Sequence, residues 1–234
     1  MTFETDIPSR LADVRSRVER ATARAGRPPG SVRLIAVSKT FASEHVRAAA
    51  GAGQVDFGEN RVQEALQKIP GTADLQIRWH LVGHLQSNKA RKAAESFAWI
   101  HSVDRPELLD RLDAAALETG TSPRVLVQVD LGGEPTKHGT QVDGVRALVD
   151  RARRCRAVRA VGLMTLPPYT EDPDGARLFF RRLREIRDRL LDEGAEPSLL
   201  EELSMGMSHD FEVAIDEGAT MIRVGTAIFG SRGL

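Results

Sequence analysis

Cysteine is almost missing from this chain. Cys155 stands alone among 234 residues, so no internal disulfide can form and the chain fits a reducing compartment. The arginines beside it, Arg153, Arg154 and Arg156, would lower the pKa of its thiol, but no second signal points to a catalytic cysteine. An excess of either charge is missing as well. The 33 Lys+Arg are matched by 33 Asp+Glu, which removes the electrostatic case for a nucleic-acid or membrane partner. The basic run 151–156 falls in a helical pattern and reads as a solvated face. No apolar run is long enough to span a bilayer, and residues 1–6 show no basic region followed by an apolar one. The protein is therefore read as cytoplasmic. Familiar catalytic arrangements, HExxH or Ser-His-Asp, are absent too. Gly225 and Gly230 have the spacing of a P-loop, but Ser231 stands where that loop requires lysine, which excludes nucleotide hydrolysis of that kind.

What is present is regular. Hydrophobic residues at 41% and charged residues at 28% are ordinary for a soluble protein with a packed core. Leu11, Val14, Val18, Ala21 and Ala25 recur at helical spacing within residues 4–26, and Gly26-Arg27-Pro28-Pro29-Gly30 stops that helix. From there the pattern alternates. Strands are predicted over 33–38, 55–58, 77–82, 98–102, 124–130, 158–164, 201–205 and 220–224. Helices are predicted over 43–52, 61–68, 87–96, 106–118, 142–154, 173–193 and 208–217. Strands separated by helices, with no hairpin signal, argue for a parallel sheet, and about eight of them suggest closure. An open doubly wound sheet would usually place a glycine-rich loop after its first strand, where this chain has Val37-Ser38-Lys39-Thr40. The expectation is an α/β fold, a single (β/α)8 TIM-type barrel with an extra N-terminal helix. Without linker, repeat or low-complexity tract, residues 1–234 are read as one domain.

Lysine is scarce: five of the 33 basic residues, leaving 33 − 5 = 28 arginines. One of the five, Lys39, closes the apolar run Leu34–Ser38. A buried ammonium is costly and escapes by losing its proton, which makes it a nucleophile for aldehydes; alternatively, a strand-end lysine simply reaches water. In such a barrel the loops after the seventh and eighth strands commonly seat a phosphate. Here they are Ser204-Met205-Gly206-Met207-Ser208 and Gly225-Thr226-Ala227-Ile228-Phe229-Gly230. Their amides and the hydroxyls of Ser208 and Thr226 suit a phosphate nest, although Ser208 is equally placed to cap the next helix. Asp210 and Glu212 at the same helix start oppose a dianion. Arg223 lies in the last strand and points either outward or to the rim shared with Lys39. An aldehyde-reactive lysine, a phosphate seat and a group for a ring nitrogen together describe pyridoxal 5'-phosphate (PLP). Asn60, after the second strand, either reaches the ligand or caps the next helix. Lys137 is read as a loop cation on the rim. His80 and His84 share i,i+4 spacing but straddle a strand end and a turn, and His101, His138 and His209 show no ligand spacing, so no metal site is assigned.

Five stretches together resemble the YggS/PROSC family of pyridoxal phosphate homeostasis proteins. They are Ala36–Lys39, Phe57-Gly58-Glu59-Asn60-Arg61-Val62-Gln63-Glu64, His80–Lys89, Leu203–Ser208 and Arg223–Gly230. The resemblance implies a fold like the barrel domain of alanine racemase, with the cofactor held as a Schiff base on Lys39. It also implies phosphate contacts from Ser208, Gly225 and Thr226, and Arg223 facing the pyridine nitrogen. His84 stands where the family often has proline, and His209 where it often has a small or acidic residue.

The resemblance favours intracellular PLP homeostasis over catalysis, with a small-molecule cofactor, PLP-requiring apoenzymes as recipients, and a monomeric state. The alternative is a PLP-dependent amino-acid racemase of the alanine racemase type. A two-base racemase needs a second proton donor opposite the lysine, usually a tyrosine from an added domain. The single tyrosine here, Tyr169, follows Pro167-Pro168 and reads as a turn residue.

Overall fold

The computed structural model describes residues 6–134 and 138–230. Its first element, α1 (Ile7–Arg24), buries Ile7, Leu11, Val14, Val18 and Ala21, one apolar stripe at steps of three and four. Eight strands follow: β1 (Arg33–Val37), β2 (Asp56–Glu59), β3 (Arg78–Leu81), β4 (Trp99–Val103), β5 (Arg124–Gln128), β6 (Arg159–Met164), β7 (Glu202–Met207) and β8 (Met221–Val224). All neighbours pair in parallel, and β1 pairs with β8 through Leu34↔Ile222, Ile35↔Arg223 and Ala36↔Val224, closing the barrel. The helices are α2 (Ser43–Gly51), α3 (Val62–Lys68), α4 (Ala90–Ser96), α5 (Pro106–Thr119), α6 (Val145–Ala152), α7 (Arg177–Asp192), α8 (Phe211–Asp216) and α9 (Thr226–Phe229). The architecture is the expected (β/α)8 barrel with an N-terminal helix. Among the described residues no helix is long and apolar enough to cross a membrane.

Alternation along each strand divides the side chains between two environments. Ala36, Phe57, Leu81, Ile100, Val125, Val127, Leu203, Ile222 and Val224 face outward and join the helices in the main core. Ile35, Trp99, Leu126, Val161, Met164 and Met221 form a second, smaller apolar cluster inside the barrel. The rest of the lumen is polar. Asp56, His80, His101, Ser204 and Arg223 are all buried and bonded to one another, an unusual filling for a space that branched apolar residues commonly occupy.

Helix starts differ most from expectation. Residues 87–89, 142–144 and 173–176 form single 3-10 turns ahead of α4, α6 and α7, the tighter winding often seen at helix ends. The helix expected from Ser208 begins at Phe211, because Asp210 takes the N-cap position and its Oδ1 accepts the Met207 N–H at 2.6 Å. That keeps 207–209 out of the helix and leaves Ser208 free for another partner.

Candidate functional site

The turn after β1 is held from below. Ile35 lies inside the barrel, and Lys39 continues its alternation past Val37 to the C-terminal mouth. Lys39 is exposed there. The burial argument for its reactivity therefore does not apply, and the mouth itself must supply the environment. Thr40 has φ +70°, the one non-glycine residue with positive φ among those described. For a β-branched residue this conformation costs on the order of 1–3 kcal/mol and persists only when neighbours enforce it. The Thr40 N–H donates to Glu64 Oε1. The Ser38 hydroxyl donates to Glu59 Oε1 at 2.6 Å. Lys68, buried beneath, donates to Ser38 O and Glu59 Oε1 at 2.7 Å and to Glu64 Oε1 at 2.9 Å. All three of its N–H bonds are engaged, so Lys68 offers no lone pair to an aldehyde. Burial raises the Glu59 carboxyl pKa against the opposing pull of Lys68 and Ser38. Burial also works on Glu64, but there the Thr40 N–H and Lys68 prevail and the pKa falls.

Across the β1–β8 seam the two expected phosphate loops meet. Ser208 Oγ accepts the Gly225 N–H at 3.1 Å and the Ala227 N–H at 3.4 Å. Both lone pairs of that hydroxyl are thus occupied, and its proton remains to be donated outward. Ser208 does not cap α8. Gly206 makes the approach possible: its φ is +91°, and a Cβ there would lie 2.6 Å from that of Ala214 and 3.0 Å from the Phe211 Cα. Thr226 opens α9 and is exposed. The opposing carboxylates are both accounted for. Glu212 turns to α1, where Arg17 grips it through two contacts of 3.0 Å. Asp210 is buried, and burial raises its pKa despite the Met207 N–H.

Arg223 points inward. It is 4% exposed, donating from Nη1 to Ser204 Oγ at 2.6 Å and from Nη2 to Thr165 O at 2.9 Å. Burial lowers its pKa to about 10, with Asp210 opposing. Arg223, Ser208 with Gly225, and Lys39 thus come from β8, the β7 and β8 ends, and β1, three consecutive strands.

Asn60 is half-buried at the same mouth, and the N-cap of α3 is Arg61, so Asn60 is not the cap. Its backbone packs against Gly83, where a Cβ would meet the Asn60 Cα at 2.8 Å. Lys137 lies outside the described residues. His84 and His138, given no ligand role by spacing, stack with ring centroids 3.5 Å apart and 15° between planes, beside Asp104. Near-parallel rings do not aim two lone pairs at one ion, and Asp104 is already paired with Arg105 at 2.7 Å. Tyr169 is 78% exposed, its ring 5.6 Å from that of His209. Cys155 departs from expectation. Burial, with Asp113 and Asp110 nearby, pushes its thiol up to about 11, outweighing Arg151.

The alanine racemase N-terminal domain family matches residues 10–233. The pyridoxal phosphate homeostasis protein of Aquifex aeolicus is 43% identical over 223 residues, 95% of this chain and 97% of the relative. The chain belongs to the pyridoxal phosphate homeostasis protein family. Its counterpart in Pseudomonas aeruginosa is 44% identical over 227 residues, covering 97% and 96% of the two chains. Among solved structures, PipY of Synechococcus elongatus, 44% identical, matches 96% of this chain and 100% of its own. Its TM-score is 0.86 without PLP and 0.85 with PLP bound.

The family motif Phe57–Glu64 contains two carboxylates to which the sequence alone assigns no role, Glu59 and Glu64. A signal was available, since Glu64 and Lys68 stand at i,i+4 on a predicted helix. Glu59 continues the outward alternation from Phe57, and nothing in the sequence connects it to Ser38. Nothing in the sequence links Asp56, His80, His101 and Ser204 to one another or to Arg223 either, because each comes from a different strand.

Proposed function

We propose that this protein binds PLP at the C-terminal mouth as a Schiff base on Lys39 and serves in intracellular PLP homeostasis. The observation that carries the reading is the convergence of Lys39, Arg223 and the Ser208–Gly225 contact on three consecutive strands. The residues suit the group. Ser208 has an unshared hydroxyl proton, the nearby backbone amides of Gly225 and Ala227 add positive field, and Thr226 brings a second hydroxyl. Lys39 supplies an amine that condenses with the aldehyde, losing one water. Arg223 keeps donors beyond the two contacts it makes, and a guanidinium can only donate to a ring nitrogen. Asn60 flanks the mouth. When bound, PLP supplies an aldehyde and an electron-withdrawing ring, and this arrangement holds the first while restraining the second, as suits a carrier. PipY, a relative solved with PLP bound, supports the same reading.

The test is direct. Mixed with PLP, the pure protein should gain visible absorbance, and borohydride reduction with peptide mapping should mark Lys39. Lys39→Ala should lose the absorbance with its fold intact. A label mainly on Lys68, Lys89, Lys92 or Lys137 would overturn the proposal. The racemase alternative requires sustained turnover of an amino acid, about 1 per second or more, and the same preparation measures it.

A further inference from the structure

The polar residues in the lumen form one unbroken line from the N-terminal end of β2 to Arg223. Asp56 Oδ1 lies 2.9 Å from His80 Nε2. His80 Nδ1 is 3.0 Å from His101 Nε2, and His101 Nδ1 is 2.8 Å from Ser204 Oγ. Arg223 Nη1 closes the line at 2.6 Å from Ser204. Strands β2, β3, β4, β7 and β8 carry it across the barrel, and His80, His101 and Ser204 have no exposure at all.

We propose that Asp56, His80, His101 and Ser204 are positioning residues, a one-way hydrogen-bond chain that orients Arg223 toward the cofactor ring. Arginine has no acceptor, so Ser204 Oγ accepts from it, and because the Asp56 carboxylate at the other end can only accept, the Ser204 proton goes to His101 Nδ1. A neutral His101 then carries its proton on Nε2 and gives it to His80 Nδ1. A neutral His80 likewise carries its proton on Nε2 and gives it to the Asp56 carboxylate. Four links use four donors and four acceptors without conflict.

The surroundings enforce that assignment. Burial holds both imidazole pKa values down, with Asp56 opposing at His80, so the rings stay neutral. The His80 ring is stacked on Trp99 at 5.4 Å with 5° between planes, which fixes the direction of its nitrogens. Burial raises the Asp56 pKa, but His80 and Arg78 overcome it and the net shift is downward, so the line ends on an anion. Each link polarises the next, strengthening it by roughly 10–30%. The reverse polarity fails at the Asp56 end, where a neutral His80 protonated on Nδ1 would turn the bare lone pair of Nε2 toward a carboxylate that can only accept. The chain therefore delivers negative potential to Arg223 and cannot relay a proton to the ring nitrogen.

The link to the cofactor rests on the proposed function; the chain itself does not, and the experiment separates the two. Protein labelled with ¹⁵N at histidine and arginine, without cofactor at pH 7, should show His80 and His101 each as the neutral Nε2–H tautomer. Either ring charged or protonated on Nδ1 would overturn the proposal, and this measurement needs no variant. Asp56→Asn keeps the shape but can donate, so the single-tautomer pattern should be lost at both rings and the Arg223 guanidinium signals should move. Unmoved Arg223 signals overturn the chain. In a Ser204→Ala background, Asp56→Asn should leave Arg223 unaffected; an equal shift in both backgrounds would mean a general structural effect and overturn the chain as well. With PLP ¹⁵N-labelled at the ring nitrogen, Asp56→Asn should shift that signal. Should it stay still while the other results hold, only the role of Arg223 at the ring is overturned.

Discussion

Lys68→Met tests whether the lysine under the Lys39 turn is structural. Met matches the length and volume of the removed side chain but makes none of its three hydrogen bonds, so Ser38 O, Glu59 Oε1 and Glu64 Oε1 each lose a donor. Glu59 decides the magnitude. It has no exposure and its Oε2 has no hydrogen-bond partner in the structure, so without Lys68 its charge rests on the Ser38 hydroxyl alone. Removing one member of a buried pair typically costs about 3–5 kcal/mol, against about 0–1 kcal/mol for an exposed pair. Urea unfolding at pH 7 measures the loss as a fall in midpoint. Two signatures separate charge burial from a packing defect. Adding Glu59→Gln removes the stranded charge and should return on the order of 1–3 kcal/mol. The pH dependence has a definite sign: in Lys68→Met the folded Glu59 pKa rises further above its unfolded value near 4.3. The variant's deficit is then largest at neutral pH and shrinks as pH falls into the carboxyl range. The Lys39 turn should respond too. Thr40 loses part of the frame that holds its positive φ, and Schiff-base formation with PLP should slow. A loss below about 1 kcal/mol, independent of pH, would refute the reasoning.

Three further outcomes follow from the same geometry. Ser208→Ala with Thr226→Ala removes up to two hydrogen bonds to a charged group, each worth roughly 1.5–3 kcal/mol, so PLP affinity measured by absorbance titration should fall at least about tenfold; pyridoxal, lacking the phosphate, should bind the native protein similarly poorly, and equal affinity for the two would refute the seat. His80 and His101 have folded pKa values below the unfolded value near 6.5, so the unfolded chain takes up protons that the folded one refuses; stability should fall as pH drops below about 6.5, by up to about 1.4 kcal/mol per pH unit for each ring, and Asp56 should add to the loss below about pH 4. A midpoint flat between pH 7 and 5 would show that the rings are not held neutral. Gly83→Ala should cost about 1–3 kcal/mol in the same unfolding assay, because its Cβ would run into the Asn60 backbone; a neutral result would mean that the two loops separate freely.

How far the chain could be read from sequence depends on whether a feature is local. The barrel was legible because period-2 runs and period-3.6 runs alternate with little interruption, and α1 was legible from five apolar positions on one stripe. Lys39 was legible as the end of an apolar run, and its loop partners as the ends of two others. What the sequence concealed was direction. Arg223 lies between Ile222 and Val224, and alternation alone says that it faces away from them, not which side is the lumen; the β1–β8 register decides, because its partner Ile35 is inside. Ser208 looked like a helix cap because serine before a helix usually is one, and only the Asp210 contact to Met207 shows that the cap position had moved.

The same limit explains the lumen. Two histidines on separate strands show no ligand spacing, so the sequence assigns His80 and His101 no role. Their meaning lies in the donor count. A line that begins on a guanidinium and ends on a carboxylate has one allowed polarity, and that polarity makes Asp56, on β2, relevant to a site at the end of β8. An apolar lumen would pack as well and would carry no such information. The cost of burying five polar side chains is offset only because every link is satisfied, which makes this part of the barrel intolerant of a single missing partner.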